Sequence, residues 1–394
     1  MIYSRLRLIA QVFLATFLLT LFSKVVCSQS YSTPIGWNHE SYEARVAALG
    51  QSTAALQNGT AYHLNPAIPL ESGVISLSSS MISYDIFSGA KLYSPAISYS
   101  SGKLSYAVMM DYTSFSSSTD LFNERSDIRS SLIRFQTGYQ INENFSVGGG
   151  FVHSSYDFEF SSSNRVNLDM NGTAWGVTLG AYYKNEFESD AFQFESQVGL
   201  SLNDLSEGFD FEGDTNSATN LPGQIRLGLG FDISSKMLRH DRHLFGAGIY
   251  TGLSKYLARW EYREGTSEIK SGSGFDTIFT TWNSAEVFSG SEMVNISLGE
   301  QISTSLGLEL HFLETLYLRY GIIGGADYWI RPRHALGAEV DVYYLSLSIS
   351  HLNYHSSDRF GSQAQDRATF IQATFRVPVD GQPRDSLLRR LLNW

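Results

Sequence analysis

Cysteine is almost missing: Cys27 is the only one in 394 residues. A disulfide scaffold is thereby excluded, and so is a zinc site built on thiolates. Charge is scarce too, at 17% Asp, Glu, Lys and Arg, and it leans acidic, to a formal net charge of −11. With no Lys/Arg surplus to neutralise phosphates, nucleic acid is excluded as a partner. Past the N-terminus no apolar run approaches the roughly 20 residues that a helix needs to cross a bilayer, which excludes a helical membrane bundle. Neither GxSxG nor HExxH occurs, so no catalytic residue, metal site or cofactor is assigned, and the chain reads as a non-enzyme. What the sequence does contain is aromatic residues (13%), 34 Gly and abundant Ser. That is too much apolar material for a disordered chain.

The N-terminus has the three-part layout of a secretory signal. Arg5 and Arg7 lead, Leu8–Phe22 is apolar apart from Gln11, Thr16 and Thr20, and Val26 and Ser28 stand at the −3 and −1 positions of a cleavage site. The expected signal peptide is 1–28, and Cys27 leaves with it. The competing reading, a lipidated Cys27, has Lys24 at −3 where a bulky apolar residue is wanted.

The rest of the chain repeats one pattern. In Ile302–Phe312, residues Ile302, Thr304, Leu306, Leu308, Leu310 and Phe312 share one face, while Ser303, Ser305, Gly307, Glu309 and His311 share the other. After Leu313-Glu314-Thr315 the alternation resumes through Leu316, Leu318, Tyr320 and Ile322 against Tyr317, Arg319 and Gly321. A period of two is a strand signal, and two such runs joined by a short turn form a hairpin. The pattern predicts fourteen strands, near 72–82, 91–100, 103–114, 130–141, 145–160, 166–184, 190–204, 222–232, 243–256, 300–312, 316–325, 332–340, 343–353 and 367–377. Their connections alternate between short (101–102, 142–144, 185–189, 233–242, 313–315, 341–342) and longer (83–90, 115–129, 161–165, 205–221, 257–299, 326–331, 354–366).

Short turns at one end and long loops at the other are the layout of an outer-membrane barrel, with both chain ends on the periplasmic side. In hydrocarbon every backbone polar group must be paired within the protein, so only helices or closed barrels cross. The expected fold is all-β, a transmembrane antiparallel β-barrel of about fourteen strands spanning 72–377, in the outer membrane of a Gram-negative bacterium and in contact with its lipid. Tyr139, Trp175, Tyr183, Tyr320 and Tyr343 lie near strand ends, as interfacial aromatics do. The alternative is a soluble periplasmic β-sandwich or propeller. Such strands carry charge on their outer face; here the non-apolar face is mostly Ser, Gly and Gln.

Residues 29–71 do not alternate. They contain a short helical stretch ending at Gly50, an Asn58-Gly59 turn, and Asn65-Pro66-Ala67 just before the first strand. An ARVAALG stretch, a spacer and then NPA ahead of a barrel resembles the N-terminal segment of one outer-membrane superfamily. That superfamily holds the long-chain fatty acid transporter FadL, the toluene and xylene channels (TodX-like), and the PorV/PorQ proteins of type IX secretion. The resemblance implies that 29–71 folds into the lumen as a plug. It further implies a channel for hydrophobic or amphiphilic small molecules of the long-chain fatty acid kind. The alternative function is a secretion component whose partners are secreted proteins or secretion machinery. Of the plug motif, Asn65 can bond nearby backbone and Pro66 fixes φ. A barrel of this size is also wide enough to need filling. The competing reading of 29–71 is a plain periplasmic extension.

The lumen-facing candidates are Arg134, Arg226, Glu309 and Arg319, with Arg376. Charges inside a barrel generally pair with one another or with a plug, and a contact to an amphiphile's carboxylate is the sharper alternative. His311 beside Glu309 reads as a satisfied polar residue, and HLNYH (351–355) has metal spacing only if helical. The loop 257–299, with Trp260, Tyr262, Phe275, Phe279 and Trp282, is a candidate extracellular apolar groove. The C-terminal segment, 378–394, is read as a periplasmic tail with an amphipathic end.

Overall fold

The computed structural model describes residues 43–51, 55–56, 63–84, 91–119, 124–161, 167–206, 210–211, 223–239, 242–257, 274–289, 292–325, 333–342, 344–355 and 365–379. The signal peptide, Trp260, Tyr262, Tyr343 and the tail's amphipathic end lie outside them.

Fourteen antiparallel strands close into one barrel. In chain order they are β1 (Val74–Tyr84), β2 (Lys91–Ser101), β3 (Leu104–Thr119), β4 (Glu124–Gln140), β5 (Phe145–Ser161), β6 (Asn167–Glu188) and β7 (Phe192–Ser206). They continue as β8 (Gln224–Ser235), β9 (Phe245–Tyr256), β10 (Ile302–Phe312), β11 (Leu316–Gly325), β12 (Arg333–Val342), β13 (Leu345–His355) and β14 (Gln365–Pro378). Each pairs with its neighbours in sequence, and β14 returns to β1 with Val74 opposite Pro378. Closure leaves no strand edge to be satisfied by lipid.

The side chains are sorted inside-out. Leu77, Ile97, Phe135, Phe151, Leu200, Leu310, Leu318, Ile349 and Phe375 are exposed on the outer face. Ser78, Gln136, Thr178, Gln197, Glu309 and Gln372 are buried on the inner one. A soluble sandwich would place these the other way round; an apolar exterior is stable only against hydrocarbon.

The wall is uneven in height. β1, β2 and β10–β13 have 10 or 11 residues, about what a tilted strand needs to cross a bilayer. β3–β6 have 16 to 22. Here two boundaries differ from the sequence expectation. The expected loop 115–129 is mostly strand, since β3 and β4 stay paired out to Thr119 opposite Glu124. The expected turn at 185–189 lies later, because β6 runs on to Glu188. Beyond the membrane neither face need be apolar, so alternation fades while the ladder bonds continue.

Rows across β4–β6 show where this happens. Ile133–His153–Trp175 face outward, with the His153 and Trp175 rings 4.5 Å apart. Toward the long-connection end the next outward rows are Ser131–Ser155–Thr173 and Arg129–Asp157–Asn171. The inner face at that level carries Leu132, Val152, Tyr156 and Ala174, all buried.

Candidate functional site: the filled lumen

Part of the N-terminal segment lies inside the barrel. α1 (Ala44–Ala48) is followed by Gly50 at φ +67°, a left-handed conformation that ends helices and suits glycine. Five residues cannot hold a helix in water alone; this one is held by the wall. Ala44 and Ala47 pack on Ile82, Leu92, Ala335, Leu352, Ala368 and Phe370, and the Ala44 amide donates to Gln372 Oε1 at 3.1 Å. A Cβ on Gly321 would come within 3.0 Å of the Ala48–Gly50 backbone, so glycine there lets the chain lie flat against β11.

Charge completes this attachment. Arg45 forks onto Glu309, Nε to Oε2 at 3.1 Å and Nη2 to Oε1 at 2.9 Å. Arg319 Nε donates to the same carboxylate, and its Nη1 meets Glu339 Oε2 at 2.8 Å. Ser348 Oγ donates to Glu339 at 2.8 Å. Two arginines thus balance two glutamates, all nearly buried. Such a cluster is stable because its charges are matched, and removing one member leaves the others uncompensated.

The segment meets the opposite wall at Asn65-Pro66-Ala67. Asn65 Oδ1 accepts from the Ala67 amide at 3.0 Å, closing an Asx turn, and its Nδ2 donates to the Ala181 carbonyl at 3.1 Å. Ser146 Oγ donates to the Ala67 carbonyl. Beneath this turn Gly138, Gly148 and Gly180 lie directly opposite one another on β4, β5 and β6. A Cβ on any of the three would come within 3.0 Å of Asn65 or Pro66.

A bulge adds further holds. On β7, Leu202 pairs with Leu179 and Leu205 with Val177, so β7 carries one extra residue. Asp204 sits there at φ +55°. The bulge turns two successive side chains inward. Asn203 Nδ2 donates to the carbonyls of His63 (2.9 Å) and Leu64 (3.1 Å). Asp204 meets Arg134 at 3.2 Å, and Arg134 also pairs with Asp111.

Each candidate residue can now be placed. Arg134, Arg226, Glu309 and Arg319 are on the inner face and buried. Glu309 and Arg319 share one cluster, Arg134 belongs to a second, and Arg226 lies between Ser201 and Ser254 on the neighbouring strands. Arg376 pairs with Asp341 near the turn end. His311 stacks on Tyr317 at 5.6 Å, and His351 approaches Thr369 Oγ1 at 3.2 Å within β13. Among the described residues no three His, Cys, Asp or Glu are grouped as a metal would need. In the long β9–β10 connection, α2 (Gly274–Thr280) exposes Phe275 and Phe279, with Trp282 beyond it.

Sequence reasoning missed Arg45, Asp111, Asn203, Asp204 and Glu339. Glu339 follows the inward alternation of its strand and was findable. Asp204 was not, because alternation through Ser201 and Asn203 sends it outward unless the bulge is known. Arg45 lies where nothing alternates.

The lumen lining also changes along its length. At the long-connection end Ala335–Leu352–Ala368 and Phe370–Ile82–Leu92 form apolar rows. One step toward the turn end come Glu339–Ser348–Gln372–Ser80 and then Asp341–Ser346–Thr374–Ser78. α1 spans that boundary, with Ala44 and Ala47 on the apolar rows and the Ala44 amide on Gln372.

No protein-family model matches the sequence, and neither does any curated protein. Solved structures do resemble the chain. The Ralstonia pickettii toluene transporter TbuX is 11% identical over 86% of this chain and 99% of its own, with a TM-score of 0.47. The Pseudomonas putida toluene transporter TodX is 12% identical over 89% and 99%, at 0.47. A Pseudomonas aeruginosa FadL homologue is 11% identical over 90% and 99%, at 0.45.

Proposed function

We propose that this protein is a channel in the outer membrane of a Gram-negative bacterium. It is exported by residues 1–28 and passes hydrophobic or amphiphilic small molecules, of the long-chain fatty acid kind, without catalysing a reaction. The observation that carries this reading is the apolar lining at the long-connection end of an otherwise polar lumen, covered by two alanines of α1. A pore for ions or sugars gains nothing from burying Leu352, Phe370, Ile82 and Leu92 inward. An apolar solute gains roughly 25 cal/mol for each Å² it buries there.

In this mechanism the solute leaves the extracellular side for the apolar rows and α1 yields to it. Residues 29–71 act as the plug, with Asn65, Pro66 and Ala67 as the fixed seat, while Arg134, Arg226, Glu309 and Arg319 hold wall and plug in register. The ARVAALG stretch is closer in wording to the PorV/PorQ side, which is the feature that favours the secretion-platform alternative, and one experiment separates the two. A strain lacking the protein is complemented with wild type or Leu352→Asn, and uptake of radiolabelled long-chain fatty acid is measured beside total secreted protein. The expected result is several-fold slower uptake with the variant, normal secretion and unchanged heat-modifiability of the barrel. Normal uptake with lost secretion in the deletion strain would overturn the channel and favour the platform.

A further inference from the structure

The outer wall changes character at the long-connection end of β7–β10. Leu200, Leu227, Leu253 and Thr304 form one outward row across these strands, and Leu200 and Leu227 are 45% and 40% exposed. The next outward row is Leu202, Ile225, Lys255 and Ile302. There Lys255 is only 3% exposed. Leu205, opposite Val177 on the same face as Trp175, is buried as well. Lys255 is the next-to-last residue of a 12-residue strand, so this row lies at the border of the hydrocarbon. Something other than lipid covers the wall here.

The cover includes the segment that carries α2. The Lys255 ammonium lies 5.6 Å from the centroid of the Trp282 ring, within cation–π range. Gln301 Nε2 donates to the Asn283 carbonyl at 2.9 Å, which ties the chain after the helix to the start of β10. α2 itself lies against β7. Its faces are the reverse of those of a helix in water. Thr277 and Thr281, one turn apart, are buried, and the Thr281 hydroxyl is satisfied by the Thr277 carbonyl at 2.7 Å. Phe275, Phe279 and Trp282, at i, i+4 and i+7, share the opposite face, and Phe279 is 82% exposed. The Trp282 indole N–H is already given to the Ile278 carbonyl, so the ring offers no polar atom outward.

We propose that α2 is an interfacial anchor, with Phe275, Phe279 and Trp282 seated among the acyl chains of the outer leaflet. Three observations choose lipid as the occupant. The helix buries threonine and exposes aromatic rings, which is stable only where the outside is apolar. It stands one row beyond Leu200 and Leu227, so its exposed face continues the lipid-facing surface of the barrel. It also lies at the membrane border, where aromatic side chains collect. The anchor holds the β9–β10 connection over the wall of β7–β10. The aromatics that the sequence offered as a groove for solute then face lipid instead. This inference rests on the barrel alone and is independent of what the channel carries.

The test uses mature protein, residues 29–394, which contains no cysteine. A nitroxide is attached at Phe279→Cys, and the labelled barrel is reconstituted into liposomes of phosphatidylethanolamine and phosphatidylglycerol. Leu200→Cys on the wall and Glu143→Cys in the β4–β5 turn serve as lipid and water controls, and heat-modifiability confirms that each variant is folded. Collisions of the label with oxygen and with a water-soluble nickel chelate are measured by electron paramagnetic resonance. Oxygen is expected to exceed the chelate several-fold at Phe279, as at Leu200, with the order reversed at Glu143. Access to the chelate equal to that at Glu143 would overturn the proposal, since the helix would then stand in water. Protection from both reagents would overturn it in favour of packing under other loops. Spin–spin broadening that disappears on dilution with unlabelled protein would overturn it in favour of a second copy of the chain.

Discussion

The N-terminal segment is attached to two walls by opposite means. At α1 the hold is charge: Arg45 on Glu309, balanced through Arg319 and Glu339. At Asn65–Ala67 no ionised side chain takes part. The turn is closed by its own amide, bonded to Ala181 and Ser146, and seated on three glycines. A charge cluster opens when one member is removed or competed away. A seat made by shape yields only to a change of volume. On the proposed channel reading, the α1 end is accordingly the half suited to move, and the Asn65 end is the half suited to stay.

The sharpest way to break this contrast is Arg45→Met, which keeps the length of the side chain but leaves Glu309 and Glu339 facing Arg319 alone. Disrupting a buried ion pair costs about 3–5 kcal/mol, and here the loss falls on the segment rather than on the strand ladder. Passage of small hydrophilic solutes in liposome swelling should rise, while the barrel still migrates as a folded species before heating. Unchanged permeability would show that charge does not hold α1.

Gly148→Ala attacks the other seat. The new methyl meets the Pro66 carbonyl and the Ala67 amide, backbone that cannot rotate aside as a flexible side chain does. Overpacking of this kind costs about 1–3 kcal/mol. Limited proteolysis should then cut near Asn65 faster than in the wild type, with α1 still protected. Equal cleavage at both ends would mean that the two attachments are not independent.

The smallest effect is expected at the turn end, away from both attachments. Glu314, in the β10–β11 turn, has its carboxyl pushed above the ordinary glutamate range, chiefly by burial and against the pull of His243 and Arg242. A carboxyl with a raised folded pKa favours the folded state while protonated, and that advantage is lost as pH rises through the raised value. Glu314→Gln, which cannot ionise, should therefore be slightly more heat-stable than wild type at pH 8. The difference should vanish below the ordinary glutamate pKa. A gain that persists in acid would assign it to packing.

The fourteen strands were legible in the sequence because a closed membrane barrel imposes one rule on every strand: apolar outward, something else inward. Ile302–Phe312 and Leu316–Ile322 show the rule with Thr304 as the one polar residue on the apolar face, and the structure pairs them as a hairpin with Phe312 opposite Leu316. The rule fails beyond the membrane. There Arg129, Asp157 and Asn171 face out while Leu132 and Tyr156 face in, and 115–119 and 124–129, expected as loop, proved to be strand. The inward charges Arg134, Arg226, Glu309 and Arg319 were legible for the same reason as the strands. Their partners were not: an ion pair between Arg45 and Glu309 joins positions 264 apart in sequence, and nothing local encodes it.

The sequence alone determined the strand count, the facing of side chains along the regularly alternating parts of the strands and the non-alternating character of what precedes β1. All of these follow from local periodicity against two solvents. The tertiary structure alone decided where that preceding segment lies, which inner row each of its residues meets, and that three glycines on separate strands share one floor. The glycine floor follows from the register of three consecutive strands; the rest are consequences of closure, since only once β14 pairs with β1 do residues on opposite walls face the same segment.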